Sequence, residues 1–248
     1  MIEYFAEFIG TLILVLLGNG VVANVVLKNT KGENGGWIVI SAGWSMGVFI
    51  AVFTIGPISG AHINPAVTLG LAFSGLFTWS QVVPFIIAQM LGAMAGGYLV
   101  YLYYHDHFKI TENQDSKLCC FCTLPNIRNY KNNFISEVIG TFILVFAVLF
   151  VNLPSVEIEG IGNVKVGLGS LEALPVALVV FAIGLSLGGT TGYAINPARD
   201  LGPRIVHALI PMKGKRDSDW GYSWIPVSGP VIGAAIATLV YYLIMWMS

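Results

Sequence analysis

Charges punctuate this chain rarely, and the gaps between them are long. Residues 8–27 carry none and read as a first apolar span, preceded by Glu3 and Glu7 and followed by a polar connection over 28–36. The next 71 residues, 34–104, contain no Asp, Glu, Lys or Arg at all. Crossing the hydrocarbon core takes about 20 residues, so two spans with short turns cannot use that length. Spans over 37–55 and 81–104 leave roughly 25 uncharged residues between them, with Gly, Pro and a helix start. Such a stretch predicts a re-entrant segment, because irregular backbone at membrane depth is tolerated only where it is buried or lines a cavity. Residues 105–131 follow as the longest polar connection, with Lys109, Glu112, Asp115, Lys117, Arg128 and Lys131. A fourth span is expected over 134–153, a Gly-rich connection over 154–169 and a fifth span over 171–187. A second re-entrant segment (188–210), a charged stretch (213–219) and a last span (223–247) complete the pattern.

The two re-entrant segments share a phrase. Ser59-Gly60-Ala61-His62-Ile63-Asn64-Pro65-Ala66 returns as Thr191-Gly192-Tyr193-Ala194-Ile195-Asn196-Pro197-Ala198, and over residues 59–70 and 191–202 seven of 12 positions are identical. Asn is a preferred helix N-cap, and Pro is preferred at the first helical position. Each phrase therefore predicts a helix start, with the positive end of its dipole inside the bilayer. The capping oxygen is spent on the helix backbone, which leaves the side-chain NH2 of Asn64 and Asn196 free to donate outward.

The repetition extends to the spans. Residues 6–16 match 136–146 at seven of 11 positions, Glu7 falling on Glu137, so the chain is a tandem duplication. Repeat 1 covers about 1–105 and repeat 2 about 132–248, joined by the connection 105–131 into a single domain. Each repeat holds three spans and a half-span. An odd number of crossings turns the second copy upside down, and the elements of an inverted repeat meet at the midplane. The fold class expected is an all-α membrane protein of six transmembrane helices and two re-entrant half-helices that abut by their N-termini, with Asn64 and Asn196 facing across a lumen.

Composition agrees. Hydrophobic residues make up 56% and charged residues 10%, against about 25% charged in soluble domains, and the mean hydropathy is +0.77. The net charge of −1 carries no nucleic-acid footprint. The amino terminus lacks the basic region of a cleavable signal, so the first apolar run is expected to stay as a span. Three cysteines, Cys119, Cys120 and Cys122, are an odd count that excludes a full disulfide framework. With His105 and His107 they fit no common metal spacing, and the region reads as a mobile polar loop. No cofactor or metal is implied, and no paired carboxylates or nucleophile–base motif indicates an enzyme.

The duplicated Asn-Pro-Ala boxes, the Glu-x-x-Gly-Thr of the first and fourth spans and Asn196-Pro197-Ala198-Arg199 resemble the aquaporin (major intrinsic protein) family over nearly the whole chain. Asp200 after Arg199 is similar to the aquaglyceroporin (glycerol facilitator) subgroup, as is Pro226 followed by Val227. The resemblance implies a homotetramer of protomers, each with its own pore, in the plasma membrane, and a passive path for glycerol, other small uncharged polyols and water. It maps the selectivity filter onto Trp44, Gly184, Tyr193 and Arg199. Water-selective members usually carry His where this chain has Gly184, so the glycine is expected to widen the constriction. The backbone carbonyls of Gly60, Ala61, His62, Gly192, Tyr193 and Ala194 are expected to line the path.

From the residues themselves, Trp44 and Tyr193 offer an apolar wedge for CH groups and Arg199 a hydroxyl partner. An intramembrane arginine is a functional-site candidate that also repels cations. Asp200 and Arg204, four apart, can pair along the half-helix. Glu7 and Glu137 are expected to satisfy backbone in the adjacent re-entrant segments rather than carry protons. His62 is expected to pack neutral under the first box rather than gate by protonation. Two other readings stay open: a water channel with little polyol flux, and a secondary transporter, since inverted repeats with broken helices serve both classes. In the topology that the resemblance implies, with both termini on the inner side, the connections carrying nearly all Lys and Arg lie outside, the reverse of the positive-inside pattern.

Overall fold

Six charge-poor stretches form helices long and apolar enough to cross a membrane. The computed structural model describes residues 1–151, 154–159 and 162–247. The first half contains α1 (Ile2–Val26), α2 (Trp37–Ser59), the short α3 (Pro65–Phe73) and α4 (Trp79–Tyr103). The second contains α7 (Tyr130–Leu149), α8 (Leu174–Leu187), the short α9 (Pro197–Leu209) and α10 (Ile225–Met247). Between them lie α5 (His105–Ile110) and α6 (Gln114–Cys119), and a hairpin of β1 (Ser155–Ile158) and β2 (Gly162–Lys165) precedes a 3-10 turn at Gly169–Ala173.

Two boundaries and one connection differ from the hydropathy pattern. Helix α1 begins at Ile2 rather than near residue 8 and runs through Glu7, whose fully buried carboxylate is hydrogen-bonded inside the bundle instead of facing lipid. Helix α7 spans Tyr130–Leu149, starting earlier than expected because Asn129 caps it through the Asn132 N–H at 3.1 Å. The predicted end of that span at residue 153, residues 160–161 of the Gly-rich connection and residue 248 lie outside the described residues. That connection is no plain loop: Val156 pairs with Val164 in an antiparallel register.

The expectation of a mobile polar loop over 105–131 is corrected. Phe108, Leu118, Cys120, Phe121 and Cys122 are all buried there. The Phe121 carbonyl accepts from Asn19 Nδ2 of α1 at 3.2 Å, and the Asn126 N–H donates to the Thr190 carbonyl at 3.1 Å. The segment is a folded cap, and burial raises the Cys120 and Cys122 thiols well above their ordinary range, which removes them as nucleophiles.

Lipid tails are as apolar as leucine, so helices in a bilayer associate through close packing and small residues rather than hydrophobic exclusion. A Cβ at Gly92 of α4 would stand 2.2 Å from the Phe8 carbonyl oxygen of α1, and one at Gly233 of α10 would stand 2.5 Å from the Val138 oxygen of α7. Both neighbours are backbone and cannot yield. Gly92→Ala is therefore expected to prise α1 from α4 and to cost about 1–3 kcal/mol. The check is the thermal midpoint of detergent-solubilised protein by size-exclusion after heating, and an unchanged midpoint would refute it. The half-helices cross over between halves, α3 packing on α10 and α9 on α4.

Candidate functional site

Both short helices begin as local chemistry dictates. Asn64 sits in extended backbone before Pro65, and its Oδ1 accepts the Ala66 N–H at 2.9 Å. Asn196 precedes Pro197 in the same way, and its Oδ1 accepts from Ala198 at 3.0 Å and Arg199 at 3.2 Å. The two N-termini meet. Asn64 Nδ2 donates to the Ile195 carbonyl at 2.8 Å, and Asn196 Nδ2 donates to the Ile63 carbonyl at 2.8 Å. One N–H of each amide is thus committed across the pseudo-two-fold axis, and only the second is left for a passing molecule. This corrects the expectation of a wholly free NH2.

The approach to each cap is held in an unusual conformation. Gly60, Ala61 and Ile63 have φ of 81°, 50° and 45°, and Gly192, Tyr193 and Ile195 repeat this with 82°, 38° and 42°. Left-handed backbone at non-glycine residues costs on the order of 1–3 kcal/mol each and needs outside support. Two buried carboxylates supply it. Glu7 accepts the N–H groups of His62 (2.9 Å) and Ile63 (2.7 Å) and the Ser59 hydroxyl (2.7 Å). Glu137 accepts from Ala194 (3.0 Å), Ile195 (2.8 Å) and the Thr191 hydroxyl (2.7 Å). In consequence no donor among the described residues reaches the carbonyls of Gly60, Ala61, His62, Gly192, Tyr193 or Ala194.

A cavity of about 130 Å³ runs along this backbone, lined by Gly60, Ala61, His62, Asn64, Tyr193, Ala194 and Asn196 on the polar side. Aliphatic side chains make up much of the rest of the lining, Leu14, Val48, Leu144 and Val180 among them. These four are repeat partners (14 with 144, 48 with 180), so extending the internal alignment to apolar positions would have found them. Gly192 and Pro226 are not in the lining; Pro226 is buried in the first turn of α10. His62 packs edge-on to Phe77 at 4.5 Å, and its Nδ1 lies 3.1 Å from Thr68 Oγ1. That hydroxyl donates to the Asn64 carbonyl and accepts from Gln89, so the ring nitrogen facing it is the protonated one.

Trp44, Tyr193 and Arg199 also line the cavity. The Arg199 guanidinium lies 4.1 Å over the Trp44 ring. Arg199 Nη1 and Trp44 Nε1 are buried without a hydrogen-bond partner, and the Tyr193 hydroxyl has Ser41 beside it. Trp44 fits only because Gly18 of α1 lacks a side chain: a Cβ there would stand 2.2 Å from the indole. Gly184 does not line the cavity. A Cβ at 184 would sit 3.0 Å from the Tyr193 hydroxyl, so the room left by the glycine is filled by the phenol rather than added to the bore.

Behind the constriction Asp200 and Arg204, both fully buried, pair at 2.8 Å. Asp200 Oδ2 also accepts the Thr123 N–H (2.7 Å) and hydroxyl (2.6 Å). Arg204 donates to the carbonyls of Ser218 (2.7 Å) and Asp219 (3.1 Å). Gln89 and Thr123 escaped the sequence reading, because their partners Glu7 and Asp200 are distant in the chain.

Comparison with known proteins agrees with this architecture. The profile of the family described as major intrinsic protein matches residues 1–241. The chain is 54% identical to a probable glycerol uptake facilitator protein of Thermotoga maritima, over 97% of this chain and 98% of that one. It is 52% identical to a glycerol uptake facilitator protein of Streptococcus pneumoniae, over 98% and 99% respectively. The X-ray structure of the aquaglyceroporin from Plasmodium falciparum superposes with a TM-score of 0.81 at 32% identity, covering 96% of this chain and 94% of that one. With six apolar helices packed around two half-helices, the chain is a multi-pass membrane protein that belongs to the major intrinsic protein family.

Proposed function

We propose that this chain is a passive channel for glycerol and other small uncharged polyols, which also passes water. The observation that carries the reading is the mixed lining of the cavity. Aliphatic side chains meet the CH groups of a polyol, bare carbonyls accept from its hydroxyls, and the Arg199 guanidinium donates to them. The similarity to proteins named glycerol uptake facilitators supports the choice of solute. Asn64 and Asn196 act as mid-pore donors that orient each passing water, so that protons are not relayed. Arg199 and the two facing helix ends set a barrier to cations. The protein works as a homotetramer in the plasma membrane.

One observation favours the water-leaning alternative: the Tyr193 phenol takes the space over Gly184. Stopped-flow light scattering on proteoliposomes decides between them. Glycerol-driven reswelling is expected, and its absence in vesicles that pass water would overturn the polyol assignment. Gly184→His is expected to push the phenol inward and to lower glycerol permeability about tenfold or more while sparing water. A parallel loss of both would count against the filter as drawn.

A further inference from the structure

The Tyr193 ring is seated by four residues outside the lumen. Gly184 of α8 and Gly188, the residue that ends that helix, lie four residues apart. A Cβ at 184 would come within 3.0 Å of the phenol Cζ and hydroxyl, and one at 188 within 2.5 Å of its Cδ1. On α2, Trp37 and Ser41 have the same spacing. The Trp37 indole meets the phenol edge-on, with centroids 5.8 Å apart and planes at 77°, and Trp37 Nε1 donates to the Gly184 carbonyl at 2.7 Å. The Cβ position of Gly184 is also 3.0 Å from Ser41 Oγ, so Ser41 and the phenol hydroxyl flank the same gap. Ser41 is fully buried, and its hydroxyl is the polar side chain that the phenol hydroxyl meets there.

We propose that Trp37 and Ser41 are positioning residues that, with Gly184 and Gly188 opposite, hold the Tyr193 phenol against α8 and so set the width of the constriction. The proposal rests on the polyol-channel reading. Its logic is the cost of an unpartnered buried hydroxyl. With Ser41 alongside, the phenol keeps a polar neighbour in its seat. With that neighbour gone, the lumen is the only place where the hydroxyl finds water. A phenol that leans inward obstructs a polyol before it obstructs a water molecule.

The test is a double-mutant cycle on Ser41→Ala and Tyr193→Phe, reading glycerol and water permeability from the same proteoliposomes. Ser41→Ala alone is expected to lower glycerol permeability about threefold or more, with water changed by less than about twofold. In the Tyr193→Phe background, where no hydroxyl seeks water, Ser41→Ala is expected to change neither. A proportional loss of glycerol and water, an unchanged glycerol permeability or an effect that persists without the hydroxyl would each overturn the seat while leaving the channel reading intact. Unsubstituted protein that passes water and no glycerol would overturn the polyol reading, and the seat with it.

Discussion

Glu137→Leu is expected to abolish most glycerol permeability and to destabilise the protein by about 3–5 kcal/mol. The side chain is buried, and its two oxygens hold the N–H groups of Ala194 and Ile195 and the Thr191 hydroxyl. Leucine fills similar volume and supplies no acceptor. Each buried N–H left bare costs about 1–3 kcal/mol, and the support for left-handed Tyr193 and Ile195 goes with it. The segment then relaxes, and the carbonyls beside the second box no longer face the path in register. Glu137→Gln keeps one acceptor and is expected to fall between leucine and glutamate. Thermal midpoints in detergent and stopped-flow glycerol permeability check both variants. A leucine variant that melts and conducts like the parent would dismiss the carboxylate as a support.

The next largest effect is expected at Asp200. Asp200→Ala leaves the buried Arg204 guanidinium without its counter-charge and frees the Thr123 N–H and hydroxyl. Removing one partner of a buried pair costs about 3–5 kcal/mol, whereas exchanging both for apolar residues can be neutral. Asp200→Ala is thus expected to lower the thermal midpoint strongly, and Asp200→Leu with Arg204→Met to recover part of the loss. The recovery is expected to be incomplete, because Arg204 also ties the Ser218 and Asp219 carbonyls to α9. Equal damage in the single and double variants would show that the carbonyl contacts, rather than the charge balance, hold this corner.

What was legible in the sequence follows from how local each rule is. The bilayer forbids stray charge, so the spans could be read from gaps between charged residues. Asn64-Pro65 and Asn196-Pro197 could be read because capping is settled within three residues. The start of α1 could not, since its buried Glu7 is satisfied by His62 and Ile63, far along the chain. The segment 105–131 misled because Phe108, Leu118 and Phe121 lack helical periodicity and are buried by tertiary packing, Phe108 beside Tyr101 of α4 and Phe121 beside His207 of α9. A glycine at 184 can be read from the sequence but the use of its space cannot: absence of a side chain makes room for any neighbour, and sequence alone does not show that the neighbour is Tyr193.

The reciprocal amide bonds between Asn64 and Ile195, and between Asn196 and Ile63, also bear on biogenesis. Residue 64 is synthesised long before residue 195, so the first half-helix must wait with an unmatched amide and a bare carbonyl at Ile63. A lone polar end in hydrocarbon is costly, which favours holding that segment in the insertion machinery or at the headgroup surface until its counterpart arrives. The middle of the protein therefore cannot close until residue 195 has been made, and a ribosome stalled before it leaves a bundle with no finished path.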